Sequence, residues 1–379
     1  MKAIRKILFI LAILSACTRT EEGIRYPVTL TLTPEEGATK SSGRTDYAFE
    51  RTVGRVDVFV YNSDGSFDSR VTASGETTLI LRCTSGLKNI RVYVNAPSGS
   101  EFYDNPLLTE GLGAKVPEYL DWNDPAEMRF LMRGSASITV SDSSDNDFSV
   151  TVTRSLARVD LKTISWEYPS GHTAFFLGSY LSNAGRYYPG DDWTDLPWEG
   201  SMWYNKCGRE CFEGGLSEGD GRLIDFVDHF PENPLTFYRP SSPVAMVPGT
   251  AWSAPEMTSE AEAAGEKGAR MYAMKNSGGA SLWNPGTYIW NDSDASGTLI
   301  HEGISYLRTR LVFVFRIDGD IRYYPVTFPS ILRNVSYEVS LTIRSSGSDD
   351  PETEVSAADL YPVITIREWN ASTGHSERL

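Results

Sequence analysis

Tyr26-Pro27-Val28-Thr29-Leu30-Thr31-Leu32-Thr33, residues 26–33, alternates apolar and mostly hydroxyl side chains without interruption. Successive side chains of an extended chain point to opposite faces, so a period of two places Tyr26, Val28, Leu30 and Leu32 on one face and the threonines on the other. The spacing predicts a half-buried strand. The same alternation returns at RVDVFVYN (55–62), TTLILRC (77–83), NIRVYVNAP (89–97), SASITV (135–140) and FSVTVTRSLARVDLKTI (148–164). Turn signals separate these runs, among them Asn62-Ser63-Asp64-Gly65 and Ser141-Asp142-Ser143-Ser144. Short strands at such spacing, with few runs of helical period, predict a β-sandwich.

Beyond residue 165 the pattern loosens and then recovers. Trp, Tyr, Gly and Pro crowd residues 166–250, and clean alternation resumes at RTRLVFVFRID (308–318), IRYYPVTFP (321–329) and YEVSLTIR (337–344). Asp318-Gly319-Asp320 is the composition of a tight hairpin turn. The expectation is all-β: a sandwich over 17–165, a second over 166–344, each a seven-strand-like unit, and a polar acidic linker with one more strand in 345–379. Helix is expected only in PLLTEGLGAKVPEYLDW (106–122) and as an insert within 257–275.

The final strand, DLYPVITIREW (359–369), repeats the spacing of the first, with Leu360, Pro362, Ile364 and Ile366 matching Tyr26, Val28, Leu30 and Leu32. Two readings follow. In one it folds back as the last strand of the second sandwich, and Ile364→Asp unfolds the chain. In the other, which is the expectation here, it is held for a partner, and the same substitution abolishes polymerisation while the monomer stays folded.

The amino terminus, MKAIRKILFILAILSAC, places Lys2, Arg5 and Lys6 before an apolar run from Ile7 to Leu14 that is too short to span a bilayer. It reads as a secretion leader over 1–16, and no later stretch is apolar and long enough to cross a membrane. Leu14-Ser15-Ala16-Cys17 resembles a lipobox, which implies that Cys17 becomes the lipidated first residue of the mature chain, with an anchor of about 0.8 kcal/mol per buried methylene. Glu21 and Glu22 resemble the acidic export tag of surface lipoproteins. Lipidation of Cys17 leaves Cys83, Cys207 and Cys211, an odd number, so the chain is no disulfide scaffold.

A formal charge of −15 over 379 residues argues against nucleic acid as a partner, because a phosphate backbone would be repelled. Enzyme readings find little support. Gly215-Leu216-Ser217-Glu218-Gly219 matches a nucleophile elbow with Asp225, Asp228 and His229 downstream, yet the elbow needs a buried strand before the serine and a helix after it. The flanks NKCGRECFEG and GDGRL are polar and poor in helix signals. Cys207, Cys211 and His229 offer three ligands where zinc takes about four, and the acidic pairs Asp145/Asp147 and Asp349/Asp350 lack an ordered calcium loop. No cofactor and no metal are expected. Trp193, Trp198, Trp203 and Tyr204 lie close together, which keeps a glycan-binding surface lipoprotein as an alternative.

The ensemble resembles the fimbrillins, the type V pilins of Gram-negative anaerobes, including their lipoprotein anchor subunits. The resemblance rests on the lipobox, VGRVDVFVYNSDGSF (53–67), LMRGSASITV (131–140), VTRSLARVDLKTI (152–164), RYYPVTFPSILRNVSYEVSLTIRSSGSDDP (322–351) and the tailing VITIREW. Residues 166–300 match only loosely. It implies two transthyretin-like β-sandwich domains, no catalytic activity, and a place on the cell surface at the outer membrane or in a fimbrium that serves adhesion and biofilm formation. It further implies assembly by strand exchange, in which an Arg-specific protease cuts after the first strand and a neighbour's tail strand fills the groove. The expected partners are other fimbrial subunits, that protease, the outer membrane through the lipid, and a host or bacterial surface receptor. Arg44 and Arg51, in the polar connection KSSGRTDYAFERT (40–52), are the candidate cleavage positions. Tyr26, Val28, Leu30 and Leu32 form the candidate displaced strand, and Leu360, Ile364 and Ile366 belong to the candidate donor strand. A stalk or accessory subunit loses its first strand; an anchor subunit keeps it.

Overall fold

The computed structural model describes residues 24–34, 47–96, 118–120, 123–125, 129–142, 145–182, 184–185, 187–188, 203–204, 233–264, 266–275, 289–291, 298–300, 309–349, 351, 353, 355–356, 360–368 and 375–378. The regular secondary structure of the described residues is almost all β-strand. The N-terminal half contains β1 (Arg25–Pro34), β2 (Arg55–Asn62), β3 (Phe67–Ser74), β4 (Thr78–Thr84), β5 (Gly86–Val94), β6 (Met132–Val140) and β7 (Asp147–Arg154). They form one seven-stranded sheet in the order β3-β2-β5-β6-β7-β1-β4. This sheet folds over on itself at β6–β7, where only Met132–Arg154 and Arg133–Thr153 pair. Two layers result, with Val28, Leu30, Val58, Val60, Leu81, Ile90, Val92 and Val152 among the side chains between them.

Gly134 makes that fold possible. A β-carbon there would lie 2.4 Å from the Thr151 carbonyl oxygen and 2.9 Å from Val150 Cγ1, so β6 approaches β7 more closely than any side chain permits. Strand β2 departs from simple alternation. Val56, Val58 and Val60 face the core between the layers, while Phe59 and Tyr61 join Tyr93, Ala96 and Leu131 in a second cluster on the outer face.

The long run 148–164 is two strands, broken at Ser155. Strand β8 (Leu156–Trp166) leaves the first sandwich and enters the C-terminal one, so the change of core comes ten residues before the composition shift near 165. The C-terminal half adds β9 (Ala174–Ser182), β10 (Thr250–Ser253), β11 (Arg270–Met274), β12 (Arg310–Ile317), β13 (Asp320–Thr327), β14 (Val335–Ile343), β15 (Leu360–Glu368) and β16 (His375–Arg378). One layer runs β11-β8-β14-β15-β16, with β10 also paired to β8; the other centres on β9-β12-β13. Val159, Leu161, Phe176, Phe313, Phe315, Val339 and Leu341 belong to the core they enclose.

In both halves the opening strand lies parallel to a late one: β1 beside β7, the last of its half, and β8 beside β14, which β15 and β16 follow. Local turns behave as their residues dictate. Asp318 and Gly319 adopt φ of 52° and 98° between β12 and β13, the left-handed pair that a two-residue hairpin loop needs. The helical insert is the five-residue α1 (Ser259–Ala263), after which the chain turns extended again as β11. Most of the helix expected over 106–122 lies outside the described residues; Glu118–Tyr119, within it, is extended and pairs with Tyr187–Tyr188.

Candidate assembly site: the first strand and its groove

Strand β1 is an interior strand with a partner on each side. It pairs antiparallel with β4 over seven positions, Arg25–Thr84 to Thr31–Thr78, and parallel with β7 over six, Thr29–Asp147 to Pro34–Val152. Val28 and Leu30 are fully buried and Leu32 nearly so, Tyr26 packs at the margin, and Thr31 and Thr33 face solvent. The alternation read from residues 26–33 is therefore the alternation of the fold. Arg25 ties the strand's start to β3: its guanidinium donates to the Asp68 carbonyl at 3.2 Å and approaches the Asp68 carboxylate at 3.6 Å. Asp68 in turn meets the buried Lys88 ammonium at 3.3 Å.

Without β1, the inward faces of β4 and β7 would form the walls of an apolar groove. Leu79, Leu81, Cys83, Val150 and Val152 line it, and the freed backbone donors and acceptors of both strands form its edges. Cys83, opposite Tyr26, is buried; burial pushes its thiol up, and the Ser69 hydroxyl 3.5 Å away partly opposes that shift.

The tail strand β15 is seated in its own sandwich. It pairs antiparallel with β14 over nine positions, Val335–Glu368 to Ile343–Leu360, with β16 on its other side. Leu360 and Ile364 are 3% and 2% exposed, and Ile366 packs against the same core from a partly exposed position.

Of the connection after β1, Arg51 is exposed and directly follows a single 3-10 turn at Ala48–Glu50. Arg44 and Cys17 lie outside the described residues. So do Cys207, Cys211, Ser217, Asp225, Asp228, His229, Trp193 and Trp198. Trp203–Tyr204 forms a short strand paired with Ala184–Gly185, and Trp166 and Trp252 pack in or against the C-terminal core.

A second constellation had no prominent signal in the sequence. Glu50, fully buried, accepts from Tyr272 Oη at 2.7 Å, Arg270 Nη1 at 3.0 Å, Arg158 Nη1 at 3.1 Å and its own neighbour's amide, Tyr47 N, at 2.8 Å. Asp160 completes the cluster with Arg270 Nε and Arg158 Nε, both at 2.9 Å. Burial alone would lower the Arg270 guanidinium, yet the Glu50 and Asp160 carboxylates outweigh it and leave it raised. Burial and the Glu50 charge together push the Tyr272 phenol well up. The signal that could have found this cluster is charge at alternate positions in apolar strands, Arg158 and Asp160 in β8 and Arg270 in β11.

No protein-family model matches the sequence, and a search of curated proteins gives no match. Solved structures do match. A candidate cell adhesion protein from Bacteroides eggerthii DSM 20697 is 13% identical, with a TM-score of 0.55, over 92% of this chain and 97% of that one. Another, from Parabacteroides distasonis ATCC 8503, gives the same identity and TM-score over 93% and 99%. The fimbrilin of Porphyromonas gingivalis W83 is 13% identical, with a TM-score of 0.50, over 93% and 99%. Matches that span nearly the whole of each chain at so low an identity establish architecture, and by that measure this chain has the fold of fimbrilin and of these candidate adhesion proteins.

Proposed function

We propose that the chain is a non-enzymatic structural subunit of a surface fimbria, assembled by strand exchange and serving adhesion. The observation that carries this reading is the seating of β1. One strand near the amino terminus, with Val28, Leu30 and Leu32 buried, lies between β7, which also pairs with β6, and β4, the end strand of the sheet among the described residues. Its loss would leave a groove with backbone edges on both sides and pockets at every second residue, the geometry of β-strand addition. The tail strand repeats that spacing. In the monomer it rests against β14, so donation exchanges one sheet neighbour for another, with the partner's groove replacing the home sandwich. The fold shared with fimbrilin supports the same reading.

Cys17 is the lipid attachment point in this account, and an Arg-specific protease acting between β1 and β2 opens the groove. Cys17→Ala should abolish labelling by a fatty-acid probe; undiminished labelling would remove the anchor from the scheme. A lock tests donation directly. Ser340 and Val363 stand opposite each other across β14 and β15, a separation that a disulfide spans with small adjustment. The oxidised Ser340→Cys/Val363→Cys variant should remain a folded monomer and regain polymerisation on reduction. Normal polymerisation of the oxidised form would refute tail donation. A second reading, a lipid-bound anchor subunit that keeps β1, is favoured by the strand's two-sided pairing; its mature form would retain acylated Cys17, whereas a stalk subunit would begin downstream of the first strand.

A further inference from the structure

The four residues 47–50 follow β1 in sequence, but the ion pairs and hydrogen bonds of the Glu50 carboxylate to other strands lie in the C-terminal sandwich. Strands β8 and β11 pair so that Arg270 stands opposite Asp160 and Tyr272 opposite Arg158. These side chains share one face of the C-terminal sheet, turned away from Val159 and Met271. A sheet face carrying two arginines and an aspartate would ordinarily lie in water. Here it is covered: Glu50 sits over it with four hydrogen bonds to its carboxylate, and Arg154 Nε donates to the Glu50 carbonyl oxygen at 2.6 Å. The Arg270 guanidinium lies 3.5 Å from the centre of the Tyr47 ring. Phe49 packs against Phe130, which meets Tyr272 edge-on at 4.9 Å.

We infer that residues 47–50 are a staple belonging to the C-terminal sandwich, so that β1 can leave its groove only when the chain is opened upstream of Tyr47. This rests on the strand-exchange reading above and adds to it which side of the staple the cut must fall. Hydrolysis of the Arg51–Thr52 bond, with water supplying hydroxyl to the new carboxylate and a proton to the new amine, would give a fragment that still carries Glu50. That fragment is held at two places, by the β1 ladders and by the buried charges. To leave, it must strand Arg158, Arg270 and Asp160 without their fourth partner in a dry site, and leaving buried charges unbalanced is strongly unfavourable. A cut after Arg44 gives a fragment held by β1 alone and leaves the staple in place. Exposure of Arg51 makes it a visible target but not a productive one.

The test uses the purified chain with Arg44→Gln or Arg51→Gln, each treated with an Arg-specific endoproteinase, with fragment masses read by mass spectrometry. Release of the peptide that contains β1 is followed by size exclusion across mild urea. The Arg51→Gln protein should release it, and the nicked Arg44→Gln protein should release it on the order of a hundredfold more slowly. Adding Glu50→Gln to Arg44→Gln should restore release from the nicked form, with far-ultraviolet circular dichroism verifying the fold before cutting. Equal release from the two single variants would overturn the staple, as would native polymers whose subunits begin at Thr52; that last result would leave strand exchange standing. Polymers built from uncut subunits would instead refute strand exchange while the behaviour of the two variants in urea still decided the staple.

Discussion

Cys83 offers a direct reading of whether β1 moves as a unit. It faces the N-terminal core from β4, opposite Tyr26, and becomes accessible when β1 lifts away. With Cys17, Cys207 and Cys211 replaced by Ser, it is the sole thiol of the chain. Leu30 is fully buried at the centre of β1, and truncating such a side chain to Ala costs about 2–5 kcal/mol. If β1 opens locally, that whole cost enters the opening equilibrium, which rises by a factor of about thirty to several thousand. Labelling by a disulfide reagent, in conditions where closing outpaces reaction, should accelerate by the same factor in Leu30→Ala. Val339→Ala, in the C-terminal core at 1% exposure, lowers the stability of the other sandwich and should leave the labelling rate near that of the parent. The burial that raises the thiol's pKa slows reaction in the closed state of all three proteins alike. Equal acceleration by Leu30→Ala and Val339→Ala would refute the reasoning, because Cys83 would then be exposed only when both sandwiches unfold together.

Ile364→Asp should unfold or strongly destabilise the monomer, since a carboxylate at a position 2% exposed has no polar partner among the core residues around it; an unchanged urea midpoint would contradict this. Gly134→Ala should lower stability by about 1–3 kcal/mol through overpacking at the β6–β7 fold, and thermal melting checks it. Alkaline stability should decline above about pH 10, for a definite reason of sign. Tyr337 is pushed up to about 12 by burial, and Tyr272 and Tyr324 are raised mainly by burial too, so the unfolded chain loses phenolic protons that the folded chain keeps; stability is full below the unfolded value and lost as pH rises through the folded ones. Absorbance near 295 nm should then show these three rings ionising together with unfolding, and independent ionisation in the folded protein would count against their burial.

The sequence by itself determined the class of fold and the inward face of its first strand. A period of two is a local property, and Val28, Leu30 and Leu32 could face a core in no other regular way. The Asp318-Gly319 turn was likewise legible, because left-handed backbone is paid for locally by residue type. Alternation says which side of a strand is buried but not which strands are its neighbours. That β1 lies between β4 and β7, parallel to one and antiparallel to the other, follows from how two layers close over one core. The break at Ser155 was invisible for the same reason, since the sequences of β7 and β8 run on without a turn signal and only their placement shows that they face different cores. Only the tertiary structure decided where Glu50 goes. An acid between Phe49 and Arg51 reads as a solvated loop charge, and its burial depends on arginines 108 and 220 residues away that a folded sheet brings to one face. The tail strand shows the limit most clearly: its spacing suits any apolar groove, and the register with β14 that seats it at home exists only once both strands are in place.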